Sequence, residues 1–254
     1  MVSYLDRYVS VIRGPEDLKR VLLRCERGRR HLQVALKNLF KFLVEWKGWP
    51  EEVIKPLRDL VRVDKPSEDD NVPDEEDIIK ALRTLGYGDV RYLALYNLML
   101  DSGIRLRHAV ELLRAWDDKK LKACDGFYIY NYGKSRGPKK QRFVFLTPYT
   151  VELIHRARAQ GLGRLTEDAA TNYYRRRDLT MPKYVRKFVY SKLIALGVPE
   201  SLADFIEGRE LKTVGARSYL AKLELAKAHY GRYARYLAEL RAKAGLTILE
   251  DRKS

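Results

Sequence analysis

Cysteine, methionine and histidine are scarce in this chain, at two, three and four among 254 residues. Cys25 and Cys124 have the spacing of neither a disulfide framework nor a zinc site, so no such staple is expected and a reducing interior is. The histidines, His31, His108, His155 and His229, are scattered, and there is no HExxH. A P-loop and a GxGxxG turn are also missing. Metal-assisted hydrolysis and ATP-driven work therefore have no motif to rest on, which leaves open only an unclustered Asp/Glu metal site. Long apolar runs are lacking too. The most apolar one, Tyr92 to Leu100, is far too short to span a bilayer and reads as a buried helix. The N-terminus, charged at Asp6 and Arg7, is not that of a secretory signal. Sparse Cys, Met and Gln beside 33% charged residues fit a thermophilic source.

Positive charge is what the chain has in excess. Lysine and arginine number 50 against 34 acids, giving a net charge of +16 and a pI near 9.7. Such a field favours a polyanionic partner, nucleic acid before an anionic membrane surface. The charge is unevenly spread. Residues 1–62 carry 14 basic and 8 acidic side chains, residues 63–77 one and eight, and residues 78–254 the remaining 35 and 18. An acidic, proline-containing stretch between two basic blocks reads as a solvated linker. The length suits two modest domains.

The first block reads as helical. Pro15-Glu16-Asp17 opens one helix, with Leu18, Val21, Leu22 and Cys25 at helical spacing. A second is expected over His31–Trp46 with Leu32, Ala35, Leu39, Phe42 and Leu43 inward, stopped by Gly48 and Pro50, and a third over Glu51–Val61. Past the linker, helices are expected from Asp74 to Gly86, Arg91 to Leu100 and Arg105 to Trp116. The period then changes to that of strands at Lys120–Ala123, Phe127–Tyr132 and Arg142–Leu146. The rest is helical to about Ala244. The fold class is thus mainly α with a small three-stranded antiparallel sheet. At the C-terminal end Leu223, Ala226, Tyr230, Tyr233, Leu237 and Leu240 form an apolar stripe, which either packs on its own domain or docks onto a neighbouring protomer.

Cleaving a phosphodiester without metal requires a nucleophile, cations for the charge on the non-bridging oxygens, and an acid for the leaving oxygen. Arginine suits the second task, because its planar fork reaches two phosphate oxygens and stays charged. Arg105 follows the Asp101-Ser102-Gly103-Ile104 turn and is expected in the first turn of a helix, where backbone N–H groups favour an anion. Lys183 and Arg186, in Pro182-Lys183-Tyr184-Val185-Arg186, leave one flank of a helix whose core stripe is Val185, Val189, Leu193 and Leu196. Arg209 follows Gly208, and Tyr219 lies ten residues further on. Each taken alone reads as an ordinary surface or core residue.

Their order resembles the active-site set of the tyrosine recombinases, or phage-type integrases. These carry an arginine after a Gly-containing turn, a lysine in a β-hairpin, a His/Lys-x-x-Arg pair, a Gly-His-like position and then the tyrosine. Here the series is Arg105, Lys134, Lys183, Arg186, Arg209 and Tyr219. It is most similar to the integrases of archaeal spindle-shaped viruses (fuselloviruses), which also carry Lys and Arg where bacterial relatives have His. The resemblance covers about residues 75–220. It implies a helical core-binding domain that clamps DNA at 1–62, an acidic linker at 63–77, and a catalytic domain with a helical tail at 78–254. It further implies a site-specific recombinase acting in the host cell interior on double-stranded DNA. Such a protein is a monomer or weak dimer alone and an oligomer, expected to be a tetramer, on DNA, with no cofactor, metal or membrane. Tyr219 would be the nucleophile, Arg105, Lys183, Arg186 and Arg209 the stabilising cations, and Lys134 the acid, with Lys139 and Lys140 as rivals in the same loop. His108 stands where relatives usually have an acid, and Glu111 lies one turn later. With Lys183 and Arg209 in the histidine positions, no neutral base is at hand. Tyr219 would then lose its proton to water, or through a phenol pKa lowered among cations. A type IB topoisomerase and a non-catalytic DNA-binding protein are the alternatives.

Overall fold

A computed structural model describes residues 2–64, 71–134, 141–209 and 216–246, with only the backbone given for Val2, Lys134 and 216–219. The described residues are 67% helical, with one three-stranded antiparallel sheet among them. It divides into two compact units, Met1–Asp70 and Asn71–Ser254.

The first unit holds α1 (Val2–Tyr8), α2 (Pro15–Arg24), α3 (Arg29–Lys47) and α4 (Glu51–Leu60). Proline at the start of α2, with Glu16 and Asp17 in its first turn, suits the unpaired N–H groups there. Gly48, at φ 66°, ends α3 and returns its N–H to the Leu43 carbonyl. Leu18, Val21, Leu22 and Cys25 are buried together with Leu32, Leu36, Phe40, Ile54 and Val61. On α3 the inward face differs from the one the spacing suggests. Leu32, Ala35, Leu36 and Phe40 are buried, while Phe42 is exposed. The helix has more apolar residues than one face can hold, so periodicity allows two registers and packing selects between them. Helix α1 is an element the sequence pattern did not suggest.

In the second unit the acids Asp74 and Asp77, at the end of the acidic stretch, form a capping box that opens α5 (Glu75–Gly86). Helix α6 (Val90–Ser102) is the axial element, buried continuously from Leu93 to Ser102. It packs against α5, α8 (Pro148–Ala159) and α10 (Pro182–Ala195). Helix α7 (Leu106–Arg114) and a 3-10 turn (Asp118–Lys120) lead to the sheet. Its strands β1 (Leu121–Cys124), β2 (Phe127–Lys134) and β3 (Gln141–Leu146) lie in chain order, with Leu121 opposite Tyr130 and Ile129 opposite Phe145. Helices α9 (Glu167–Arg176), α11 (Glu200–Ile206) and α12 (Ala216–Lys243) complete the unit.

The α12 stripe Leu223, Ala226, Tyr230, Tyr233, Leu237 and Leu240 is buried in this unit's own core, so it is not a free docking face. Gly231 lies within the helix without interrupting it.

Candidate active site

The turn ending α6 forms the floor of the site. Ser102 Oγ donates to the Leu98 carbonyl at 2.8 Å and accepts the Ile104 N–H at 3.3 Å. Gly103 takes φ 60°, a conformation side chains disfavour. Ile104 is fully buried. These two residues complete the turn, so Arg105 is the N-cap of α7, with extended backbone, and not a residue of its first turn as the sequence suggests.

Behind this floor lies a closed polar network. The buried Asp101 carboxylate accepts from the Thr147 N–H at 2.6 Å and the Thr147 hydroxyl at 2.8 Å, and it pairs with Arg241 Nη2. Arg241, in the last turn of α12, also donates to Asn97 Oδ1 and Thr147 Oγ1 at 2.8 Å and to Thr150 Oγ1 at 3.2 Å. Tyr230 and Tyr233 donate their hydroxyls to the carbonyls of Asp101 and Leu100, each at 2.8 Å. Helix α12 is thereby fastened along the segment that presents Arg105. Burial raises both phenol pKa values well above normal.

In front of the floor three arginines from three segments meet around Glu207, at the end of α11. Arg186 Nη2, on α10, lies 3.5 Å from Glu207 Oε2, and Arg209 Nε lies 2.5 Å from the same oxygen. Arg105 Nη1 donates to the Gly208 carbonyl at 3.4 Å. Gly208, at φ 65°, turns the chain between Glu207 and Arg209. The Arg209 guanidinium also lies 4.6 Å above the Tyr190 ring. The Glu207 side chain is 0% exposed and that of Arg186 12%. Burial lowers the Arg186 pKa to about 10, Glu207 opposing and the charges of Arg105 and Arg209 reinforcing. Arg105 is lowered for the same reason, burial first and Arg209 next. Burial pushes Glu207 up to about 7 against the pull of Arg186 and Arg209. Arg186 Nη1 and Glu207 Oε1 are buried and have no hydrogen-bond partner among the described residues.

Gln141 connects the hairpin to this cluster. Its Nε2 donates to the Phe143 carbonyl at 2.8 Å and to the Ile206 carbonyl, next to Glu207, at 3.3 Å. Its β2 partner is Lys134, so the strand end carrying Lys134 lies beside the cluster, although the Lys134 side chain and residues Lys139 and Lys140 fall outside the described residues. Tyr219 belongs to the first turn of α12, and its side chain is likewise outside them. Lys183, exposed at the start of α10, has its ammonium 4.3 Å over the Tyr184 ring.

The acid of the cluster is one that sequence reasoning passed over. Glu111 accepts from Arg107 at 3.0 Å and from the Tyr132 hydroxyl at 2.8 Å. His108 is buried near the Tyr132 ring. The only sequence signal for Glu207 is its place directly before Gly208-Arg209.

Among the described residues no group of His, Cys, Asp and Glu could hold a metal ion, and no helix is long and apolar enough to cross a membrane. A search among curated proteins finds no match. A family model for archaeal phage integrases matches residues 70–236, which takes in α5 through most of α12 and every member of the arginine cluster. With well over half its length inside that match, the chain belongs to the archaeal phage integrase family and has an integrase role in DNA recombination.

Proposed function

We propose that this integrase cuts and rejoins double-stranded DNA through a phosphotyrosyl intermediate formed by Tyr219. The Tyr219 oxygen attacks the scissile phosphorus, so a P–O bond to tyrosine forms at the 3′ end and the bond to the 5′ oxygen breaks. The phenol proton passes to water, and Lys134 protonates the leaving oxygen. Arg105, Arg186 and Arg209 hold the non-bridging oxygens, with Lys183 adding charge at the rim. The phosphotyrosine keeps the energy of the broken bond, so rejoining by a 5′ hydroxyl requires neither ATP nor metal.

The observation that carries this reading is the meeting of three arginines around one buried carboxylate, with a buried Arg186 donor unpartnered among the described residues. A phosphate brings the paired oxygens that such forks bind. The geometry also disfavours two rival nucleophiles, because Tyr230 and Tyr233 are fully buried with their hydroxyls committed to backbone carbonyls.

Nicked or suicide duplexes test the reading. Tyr219→Phe should abolish covalent attachment and leave DNA binding nearly unchanged, since only the nucleophilic oxygen is removed. An adduct that survives Tyr219→Phe refutes it. Lys134→Ala should be rescued by a 5′-bridging sulfur, which leaves without a proton; rescue of Lys139→Ala instead would move the acid along the loop.

In the same reading residues 1–62 are the DNA clamp and 78–254 the catalytic domain, joined by the acidic stretch 63–77, whose last residues, Glu75–Asp77, already belong to α5. Exchange between two duplexes needs several protomers on DNA.

A further inference from the structure

We propose that Glu207 is the positioning residue of the arginine cluster: its carboxyl group holds Arg186 and Arg209 while the site is free of DNA, and takes up a proton from solvent when the scissile phosphate arrives. The inference rests on the phosphotyrosine reading and adds to it a counter-ion that the phosphate displaces.

Three observations support it. Glu207 Oε2 is shared by two guanidinium groups, at 3.5 Å from Arg186 and 2.5 Å from Arg209, while Oε1 is buried with no partner among the described residues. Arg186 Nη1 is left over in the same way, so this pair is a fork with one leg made. The carboxyl group is also wedged against the floor. A Cβ on Gly103 would lie 2.5 Å from Oε1 and 2.6 Å from Cγ, so the absence of a side chain at Gly103 is what admits Glu207 to this place.

The surroundings set the direction of the proton. Glu207 faces Arg186 from α10, Arg209 and Asp204 from α11 and the turn after it, Arg105 from the α6–α7 turn, and the Tyr233 phenol from α12. The three arginines favour the carboxylate, whereas burial and Asp204 favour the acid. These opposed influences leave the group near neutrality, at about 7. A phosphate drawn in by the same arginines adds negative charge beside the carboxylate and takes over part of its attraction. Both changes favour the protonated acid. Loss of the carboxylate charge then leaves the arginine forks to the phosphate.

Carboxyl carbon NMR of the full chain labelled with ¹³C-glutamate tests this directly. The Glu207 resonance is identified by its loss in Glu207→Gln, and by Glu207→Asp should the glutamine variant fail to fold. It is titrated in the free chain and in the covalent adduct on a suicide duplex, where the phosphate is held in the cluster. The expected result is a free-chain midpoint well above that of the other glutamates, rising by about one pH unit or more in the adduct. A free-chain midpoint in the ordinary carboxylate range, or one that stays put in the adduct, overturns the proposal. Failure to form any adduct counts instead against the phosphotyrosine reading, and the free-chain midpoint still decides whether Glu207 is poised to accept a proton.

Discussion

Asp101 and Glu207 are both fully buried carboxylates facing arginine, yet they are built for different tasks. Asp101 has Thr147 and Arg241 as donors, and the same Arg241 is satisfied by Asn97, Thr147 and Thr150. Glu207 uses one oxygen twice, and both it and Arg186 keep a buried atom with no partner among the described residues. A closed network of this kind rigidifies, whereas an open one carries a desolvation cost that a ligand can relieve. The difference separates the frame of the site from its working face, although both draw on arginine and acid.

Breaking the closed network should have the largest effect on stability. Arg241→Met leaves Asp101 buried without its charge partner and should cost about 3–5 kcal/mol in denaturant unfolding. A loss below about 1 kcal/mol would show that the two networks are energetically alike.

On the open side the same operation should act on chemistry. Arg186→Ala should slow covalent attachment roughly 10²–10³-fold, about 2.7–4 kcal/mol, as expected for one preorganised donor. Arg186→Lys should not restore the rate, since a point charge lacks the fork. Wild-type single-turnover rates in Arg186→Ala would take this residue out of the site.

Glu207 should also make the stability of the fold depend on pH. Glu207 has a folded-state pKa raised from 4.5 to about 7. The folded chain therefore holds a proton that the unfolded chain has released between these values. The stabilisation this gives is complete below about 4.5 and is lost as pH rises through about 7, a loss on the order of 3 kcal/mol. Glu207→Gln should flatten that part of the stability–pH curve. A slope unchanged by the substitution would mean that Glu207 does not titrate there.

Gly103→Ala sharpens the contrast at its boundary. The positive φ and the approach of Glu207 should together cost about 1–3 kcal/mol, with a loss of cleavage greater than the loss of DNA affinity. Equal losses of the two would make Gly103 a matter of folding only. The smallest effect should come from the other unit. Deleting residues 1–62 should weaken DNA binding and flatten its salt dependence, because fewer counterions are released. An unchanged slope would deny that block a clamp role.

How much of this was legible beforehand follows from the range of the interactions. The sheet and most helices were readable because their signals are local: Pro15, Gly48, the Asp74–Asp77 cap and the change of period after Trp116. The arginines could be picked out because their order resembles that of a known family's site; each alone reads as an ordinary residue. Helix α3 was ambiguous, since ten apolar residues leave the choice of inner face to α2 and α4. Asp101 and Arg241 lie 140 residues apart, and nothing local to either names the other. Glu207 was hidden for a different reason. An acid in an exposed loop and an acid sealed under three arginines look identical in one dimension, and only the folded backbone at Gly103 distinguishes them.

Helix α12 acts as a fixed post. Its buried stripe begins at Leu223, and from there to Arg241 it is held by side chains or hydroxyls along its length. Tyr219 is four residues before that first hold, which in a helix is about 6 Å of rise. In the phosphotyrosine reading the nucleophile therefore stands about one turn from a fixed anchor. In that reading the phosphate has to be brought to the tyrosine, and the accuracy of the cut depends on how the duplex is seated.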